Sequence, residues 1–249
     1  VITFAGVGKR YRADTWAVHD VSFEIAAGEF VAVLGESGSG KTTLLKMVNR
    51  LVEPTAGSIL VAGKDVRDSD PVELRRTIGY VIQHVGLLPH LTVAANVAMV
   101  PRLLGWPEAK ITERVRELLE LVGLPELGER YPDQLSGGQR QRIGVARALA
   151  ARSTLMLLDE PFGGLDPITR VALQTELKRI HRELALTTVM VTHDMVEALT
   201  LADRIAVIYR GALKQIGTPS ELMSKPADPY VAQLMGMARQ QAERLMAAT

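Results

Sequence analysis

The residues Gly35-Glu36-Ser37-Gly38-Ser39-Gly40-Lys41-Thr42 fit the pattern GxxxxGK[ST], between an apolar run at residues 30–34 and a helix-like stretch at 42–49. A strand, a tight loop and a helix must therefore follow one another at this point. The glycines let the backbone turn sharply enough for several N–H groups to face inward. The helix that follows adds the positive end of its dipole, so the loop forms a cradle for phosphate oxygens. In such a loop Lys41 reaches toward β- and γ-phosphates and the Thr42 hydroxyl supplies a ligand for Mg²⁺. The competing reading, a merely flexible Gly/Ser loop, does not account for the flanking strand and helix.

A second apolar run, Leu155-Met156-Leu157-Leu158, ends in the adjacent carboxylates Asp159-Glu160. Four apolar residues in a row suit a parallel strand buried on both faces, and in such sheets ligand chemistry lies at the C-terminal strand ends. Asp159 is placed to hold Mg²⁺, directly or through a water, and Glu160 to orient or deprotonate an attacking water. Phosphoryl transfer asks a protein mainly for positioning and charge stabilisation, so these two acids suffice. The alternative is a pair of surface acids capping a strand.

Composition allows this chemistry without directing it. The chain has 249 residues, 47% apolar and 23% charged, enough for one large α/β domain with a full core. Its 29 basic and 28 acidic residues leave a net charge of +1, which argues against nucleic acid or an anionic membrane surface as the main partner. Arg140, Arg142, Arg147 and Arg152 make the densest basic cluster; on a helix they read as a solvated face, with Arg140 near enough to residues 135–139 to help hold phosphate. No run approaches the roughly 20 apolar residues of a membrane span, so the chain is expected to be soluble by itself. There is no secretory signal pattern, and Val at position 1 is consistent with a trimmed leading segment. The absence of cysteine excludes disulfides and thiolate metal sites.

Residues 1 to about 60 read as strand-rich, with alternation in residues 18–25 closed by the turn Ala26-Ala27-Gly28-Glu29. From about Gln83 to Ala150 the pattern turns helical. Ile111, Val115, Leu118, Leu119 and Val122 fall on one helical face that stops at Gly123. Strands return near Leu155, Thr188 and Ile205. Thr218-Pro219-Ser220-Glu221 is a capping box with proline at the first helical position, and Asp228-Pro229 opens a further helix.

Leu135-Ser136-Gly137-Gly138-Gln139 lies between the phosphate loop and the acidic strand end. With these three motifs in this order, the chain resembles, over essentially its whole length, the nucleotide-binding subunits of ATP-binding cassette transporters. The resemblance implies an α/β fold: a P-loop NTPase (RecA-like) core, residues 1–83 and 151–216, with an antiparallel β subdomain. An inserted α-helical subdomain at 84–150 would carry the signature, and 217–249 would form a helical tail. ATP and Mg²⁺ are the implied cofactors. Gly35, Glu36, Ser37, Gly38, Ser39, Gly40, Lys41, Thr42 and Thr43 would contact nucleotide, with Thr42, Asp159 and Gln83 around the metal. Gln83, closing Ile78-Gly79-Tyr80-Val81-Ile82, looks like the Q-loop glutamine. Pro161-Phe162-Gly163-Gly164-Leu165-Asp166 looks like the D-loop, with Gly164 where serine or alanine is more usual. His193, after the strand at 187–192, looks like the switch histidine. Alone, Gln83 would be an ordinary strand terminus and His193 an ordinary surface or core histidine; their order and strand-end positions favour function. Glu160, His193 and Gln83 form the implied catalytic set. Tyr11, upstream of the phosphate loop, is the candidate adenine-stacking aromatic, with Trp16 as its competitor.

In this family Ser136, Gly137, Gly138 and Gln139 complete the site of a second subunit, so the chain is expected to pair, with itself in the simplest case. Asp166 belongs to the same nucleotide-contacting set. The apolar segment 84–93, with Pro89, is a docking surface for transmembrane permease subunits, or alternatively a locally packed loop. The stretches at 78–83 and 100–106 resemble the osmoprotectant importers for glycine betaine, carnitine and choline, and this implies an extracytoplasmic solute-binding protein and placement at the cytoplasmic face of the membrane. Some members of that branch continue into paired CBS domains; with the sequence ending at Thr249, the expectation is either a truncated chain or a member that lacks them. An importer for amino acids or polyamines is the alternative. A soluble cassette ATPase acting on DNA or ribosomes is a third reading, disfavoured because such proteins usually carry two cassettes or a coiled-coil insertion.

Overall fold

The computed structural model describes residues 2–12 and 15–247, in two compact units: 1–69 with 189–249, and 70–188. In the first unit, β2 (Thr15–Ile25) buries Val18, Val21, Phe23 and Ile25. Asp20, at φ 47°, marks a bulge where Val7 and Lys9 of β1 (Ile2–Arg12) face Val21 and Val18; the extra residue lets both valines point inward. β1 also pairs antiparallel with β4 (Ala56–Val61), and the short β5 (Lys64–Asp65) completes the order β2-β1-β4-β5. Opposed Phe4 and Phe23 stack at a centroid distance of 4.5 Å.

All five residues of β3 (Phe30–Leu34) are buried, the continuous apolar pattern of a strand covered on both faces. It runs parallel to β9 (Arg204–Tyr209), which continues antiparallel into β10 (Ala212–Gly217). Arg210 and Gly211 form that hairpin's two-residue turn, with φ 49° and 81° as a primed turn requires. Residues 189–192 of β8 (Thr187–Thr192) lie beside β3 in this unit. The helices of the first unit are α1 (Lys41–Val48), α7 (Met195–Leu201), α8 (Pro219–Ser224) and α9 (Pro229–Ala247). Tyr209 and Tyr230 stack at 4.0 Å, fixing the start of α9 against the end of β9.

In the second unit, α2 (Pro71–Thr77) leads directly into β6 (Ile78–Val81), which pairs parallel with β7 (Leu155–Asp159). Around them lie α3 (Val93–Leu103), α4 (Glu108–Leu121), α5 (Gly137–Leu149) and α6 (Pro167–Glu183). The periodic stripe of α4 is buried at Ile111, Val115, Leu118 and Leu119, against α3 and α5, and Gly123 at φ 69° follows the helix end. Among the described residues no helix is long and apolar enough to cross a membrane.

The loop between β6 and α3 is organised by Asn96, which is fully buried. Its amide donates to the carbonyls of Leu88, Leu91 and Thr92 at 3.0–3.1 Å, and its oxygen accepts from the Leu88 N–H at 2.8 Å. Asn96→Ala leaves these groups without that partner and is expected to cost about 2–3 kcal/mol. Denaturant unfolding should show a lower midpoint at unchanged slope; an unchanged midpoint would mean that Asn96 does not hold the loop.

Candidate active site

The phosphate loop is shaped by backbone that crowds its glycines. A Cβ on Gly35 would lie 2.1 Å from the Ile208 carbonyl oxygen, and one on Gly40, at φ 100°, 2.1 Å from that of Ala17. The end of β9 and the start of β2 thus wall in the loop, and no side chain fits at either position. The Lys41 side chain is 4% exposed and folds back over the loop, donating from Nζ to the Glu36 carbonyl at 2.7 Å. Gly40 caps α1 without any side-chain acceptor, and the first turn carries no acid. The Ser39 hydroxyl is buried and has no hydrogen-bond partner among the described residues. An uncapped helix start, a buried lysine and an unpartnered hydroxyl around one tight loop fit a phosphate chain.

The first unit also positions His193. Thr192 ends β8 and donates its hydroxyl to buried Glu197 at 2.5 Å, while accepting from the Asp194 N–H at 2.9 Å. Asp194 then caps α7, accepting from the N–H groups of Val196 and Glu197. These bonds fix the turn on both sides of His193, which is exposed at the strand end. Of the two aromatic candidates, Tyr11 is 61% exposed, with Lys9 Nζ 5.2 Å from its ring centroid. Trp16 instead packs over Gly8, where a Cβ would come within 2.7 Å of its ring. Tyr230 was not apparent from the sequence as a neighbour of the loop. Its phenol is shifted above the ordinary tyrosine range, first by burial and then by the Glu36 carboxylate.

In the second unit Asp159 closes β7 and is 3% exposed. Tyr80, on neighbouring β6, donates to its Oδ2 at 3.4 Å. Burial, followed by the Asp159 charge, raises the Tyr80 pKa, so the phenol remains a donor at neutral pH. Glu160 has φ 47°, a left-handed backbone that turns its side chain away from the strand course. Gln83 Nε2 donates to Glu160 Oε2 at 3.1 Å, so two residues separated by 77 positions meet here. Among the described residues no three His, Cys, Asp or Glu side chains cluster. An Mg²⁺ held by one carboxylate, a hydroxyl and phosphate oxygens requires no such cluster, and buried Asp159 fits as its acid.

Ser136 caps α5: its hydroxyl accepts from the Gln139 N–H at 3.2 Å, and its own N–H donates to Gln139 Oε1 at 2.8 Å. Gly138 sits where a Cβ would come within 2.4 Å of Thr169 Cγ2, and one on Gly137 within 3.3 Å of Leu165 Cδ2. Asp166 caps α6, and the hydrogen bonds from Thr169 hold its pKa below the ordinary carboxylate value. The signature and the segment 165–169 are thus packed together.

Of the four arginines after the signature, Arg140 and Arg152 are exposed, whereas Arg142 and Arg147 are half-buried and end on backbone carbonyls of distant segments. Arg140 Nη1 donates to the Leu135 carbonyl at 2.6 Å and Arg142 Nη1 to that of Val122 at 3.2 Å. Arg147 bonds the carbonyls of Val85 and Gly86. Helical periodicity carries no sign of these acceptors, which for Arg142 and Arg147 lie 20 to 62 positions away.

The family profile described as ABC transporter matches residues 18–163. The chain is 53% identical over 240 residues to the choline transport ATP-binding protein OpuBA of Bacillus subtilis, covering 96% of this chain and 63% of that protein. It is 50% identical over 237 residues to the glycine betaine uptake system ATP-binding protein YehX of Escherichia coli, covering 95% of this chain and 77% of YehX. The chain therefore spans less than two thirds of OpuBA. Among solved structures, the dimeric post-hydrolysis state of the ATP-binding cassette MJ0796, bound to ADP and Pi, matches with a TM-score of 0.78. It is 33% identical, over 88% of this chain and 99% of that one. With the glycine cradle, the capped LSGGQ helix and the Gln83–Glu160 pair in place, these matches establish that the chain belongs to the ABC transporter family.

Proposed function

We propose that the chain is the ATP-hydrolysing subunit of an importer for a quaternary-ammonium osmoprotectant such as glycine betaine, carnitine or choline. The observation that carries the ATPase half is the Gln83–Glu160 hydrogen bond at the end of β7, which supplies an oriented base beside a buried acid. The cargo half is supported by the names of OpuBA and YehX.

In this reading the loop N–H groups and Lys41 take the negative charge of the phosphate chain, and Tyr11 stacks on adenine. Thr42, Asp159 and Gln83 would hold Mg²⁺, which when bound neutralises charge on the phosphate oxygens. Glu160 orients the attacking water and receives its proton, and Gln83 keeps that carboxylate in place through its amide. His193 contacts the γ-phosphate from its fixed turn. Ser136, Gly137, Gly138 and Gln139 serve the nucleotide of a second subunit, with Asp166 alongside. The insertion at 84–150 moves with the signature, and residues 84–93 meet the permease at the cytoplasmic face of the membrane. A solute-binding protein delivers the cargo from outside.

Deleting the gene should lower uptake of glycine betaine, choline or carnitine at high osmolarity, and the intact gene, but not its Glu160→Gln variant, should restore it. Unchanged uptake of all three with loss of amino acid or polyamine uptake would reassign the cargo and leave the ATPase reading intact. Recovery of nucleic acid rather than permease with the purified protein would remove the transport reading.

A further inference from the structure

We propose that Arg147 is a positioning residue that ties the signature helix α5 to the backbone on the far side of Gln83, so that movement of the signature moves the Gln83–Glu160 pair. This rests on the ATPase reading and extends it to residues that carry none of its motifs.

Three neighbouring positions on one side of α5 seat the chain before and after Gln83. On the near side, Gly79 of β6 lies so close that a Cβ there would be 2.6 Å from the Ala148 carbonyl oxygen. On the far side, Gly144 leaves room for Val85, whose Cγ1 would be 2.5 Å from a Cβ at Gly144. One turn further along, the Arg147 guanidinium spans two successive carbonyls: Nη1 donates to Gly86 O at 2.7 Å and Nη2 donates to Val85 O. α5 thus grips residues four before and two to three after Gln83. At about 1.5 Å per residue, its 13 residues make a rod of roughly 20 Å with the signature at its other end.

The gripped backbone is unusual. Val85 and Gly86 both have left-handed φ, 58° and 59°. For a β-branched residue such as Val85 this is a costly conformation that persists only where its surroundings impose it, and such residues gather at switch segments. The Val85 N–H donates to the Ile82 carbonyl at 2.8 Å within this turn, and Arg147 holds its two carbonyls from α5. Its guanidinium is partly buried, and both of its acceptors are neutral carbonyls rather than a carboxylate. A charge held in this way is poorly explained by stability alone, because burial of a cation without a counter-charge is unfavourable. The planar fork of arginine spans two adjacent carbonyls, which the single ammonium of lysine does not reproduce.

The test is a double-mutant cycle on MgATP hydrolysis by the full chain. Arg147→Gln should lower kcat about tenfold, within the range over which contacting residues couple, with KM for ATP changed less than about threefold. In a Gln83→Ala background the same substitution should lower the residual kcat by less than about twofold, because the group it acts through is gone. Gly144→Ala, which displaces Val85 without touching Arg147, should show the same dependence on Gln83 and serves if Arg147→Gln does not fold. Equal losses with and without Gln83, or no loss of kcat, would overturn the inference, since damage to folding alone lowers activity in both backgrounds. A parent chain without MgATP hydrolysis would remove the ATPase reading and this inference with it, whereas an active parent with additive losses overturns this inference alone.

Discussion

Glu160→Gln is expected to bind ATP as the parent does and to hydrolyse it roughly 10²–10⁴-fold more slowly, the range for loss of a general base or water-orienting group. The geometry makes this substitution selective. Gln83 donates to Glu160 through its amide nitrogen at 3.1 Å, and a glutamine at 160 retains an oxygen able to accept that bond. The left-handed backbone of position 160 is unaffected by exchanging one carboxylate oxygen for nitrogen. What disappears is the negative charge and the capacity to take a proton. Fluorescent-nucleotide titration should give an unchanged Kd for ATP, steady-state phosphate release should fall, and ATP-bound dimers should accumulate on a sizing column. Phosphate release at a near-parent rate would show that another residue activates the water.

The parts of the fold that the sequence announced are those decided within a few residues. The apolar run 30–34 became β3 with every residue buried, and the helix after the phosphate loop begins at Lys41, one residue from the sequence reading. The Thr218 capping box formed as written, with Thr218 accepting from the Glu221 N–H at 3.2 Å and Glu221 returning the bond at 2.7 Å. Periodicity, caps and glycine loops are local, so one strand or helix contains all the information they need. The candidate site was legible as separate motifs for the same reason. The bonds that connect motifs were not. Gln83 and Glu160 are distant in sequence, and nothing local pairs them. Tyr80 lay in a strand already noted, yet its bond to Asp159 depends on the parallel register of β6 and β7. Arg142 and Arg147 misled for the same reason: on a helix a run of arginines normally faces solvent, and only the path of distant loops shows that their guanidinium groups end on carbonyls. Asn96 is the converse case, an ordinary helix residue in the sequence that holds the loop at residues 88–92 by four hydrogen bonds.

The second large effect is expected at Ser136, and it separates a site built within one chain from a site shared by two. Ser136 is exposed, so an arginine there meets no buried neighbour within its own chain. Its structural cost is the lost cap on α5, about 1 kcal/mol, and the Gln139 N–H that it now serves at 3.2 Å can turn to water. Ser136→Arg should therefore fold and bind ATP through its intact phosphate loop, yet hydrolysis should fall below detection if the signature acts on a partner's nucleotide. Lys41→Ala is the complementary lesion: it removes the buried ammonium that bridges the loop at 2.7 Å from the Glu36 carbonyl and should abolish tight ATP binding while leaving the signature whole. Neither homodimer then has a working site. A mixture contains heterodimers in which the loop of the Ser136→Arg chain faces the signature of the Lys41→Ala chain, and that pair is complete. Differently tagged chains, purified in tandem with MgATP, should yield heterodimers retaining one ATP and up to half the parent activity. If parent dimers form under the same conditions and no ATP-bound heterodimer is recovered, the signature does not act across a dimer, and the role assigned to Ser136 falls.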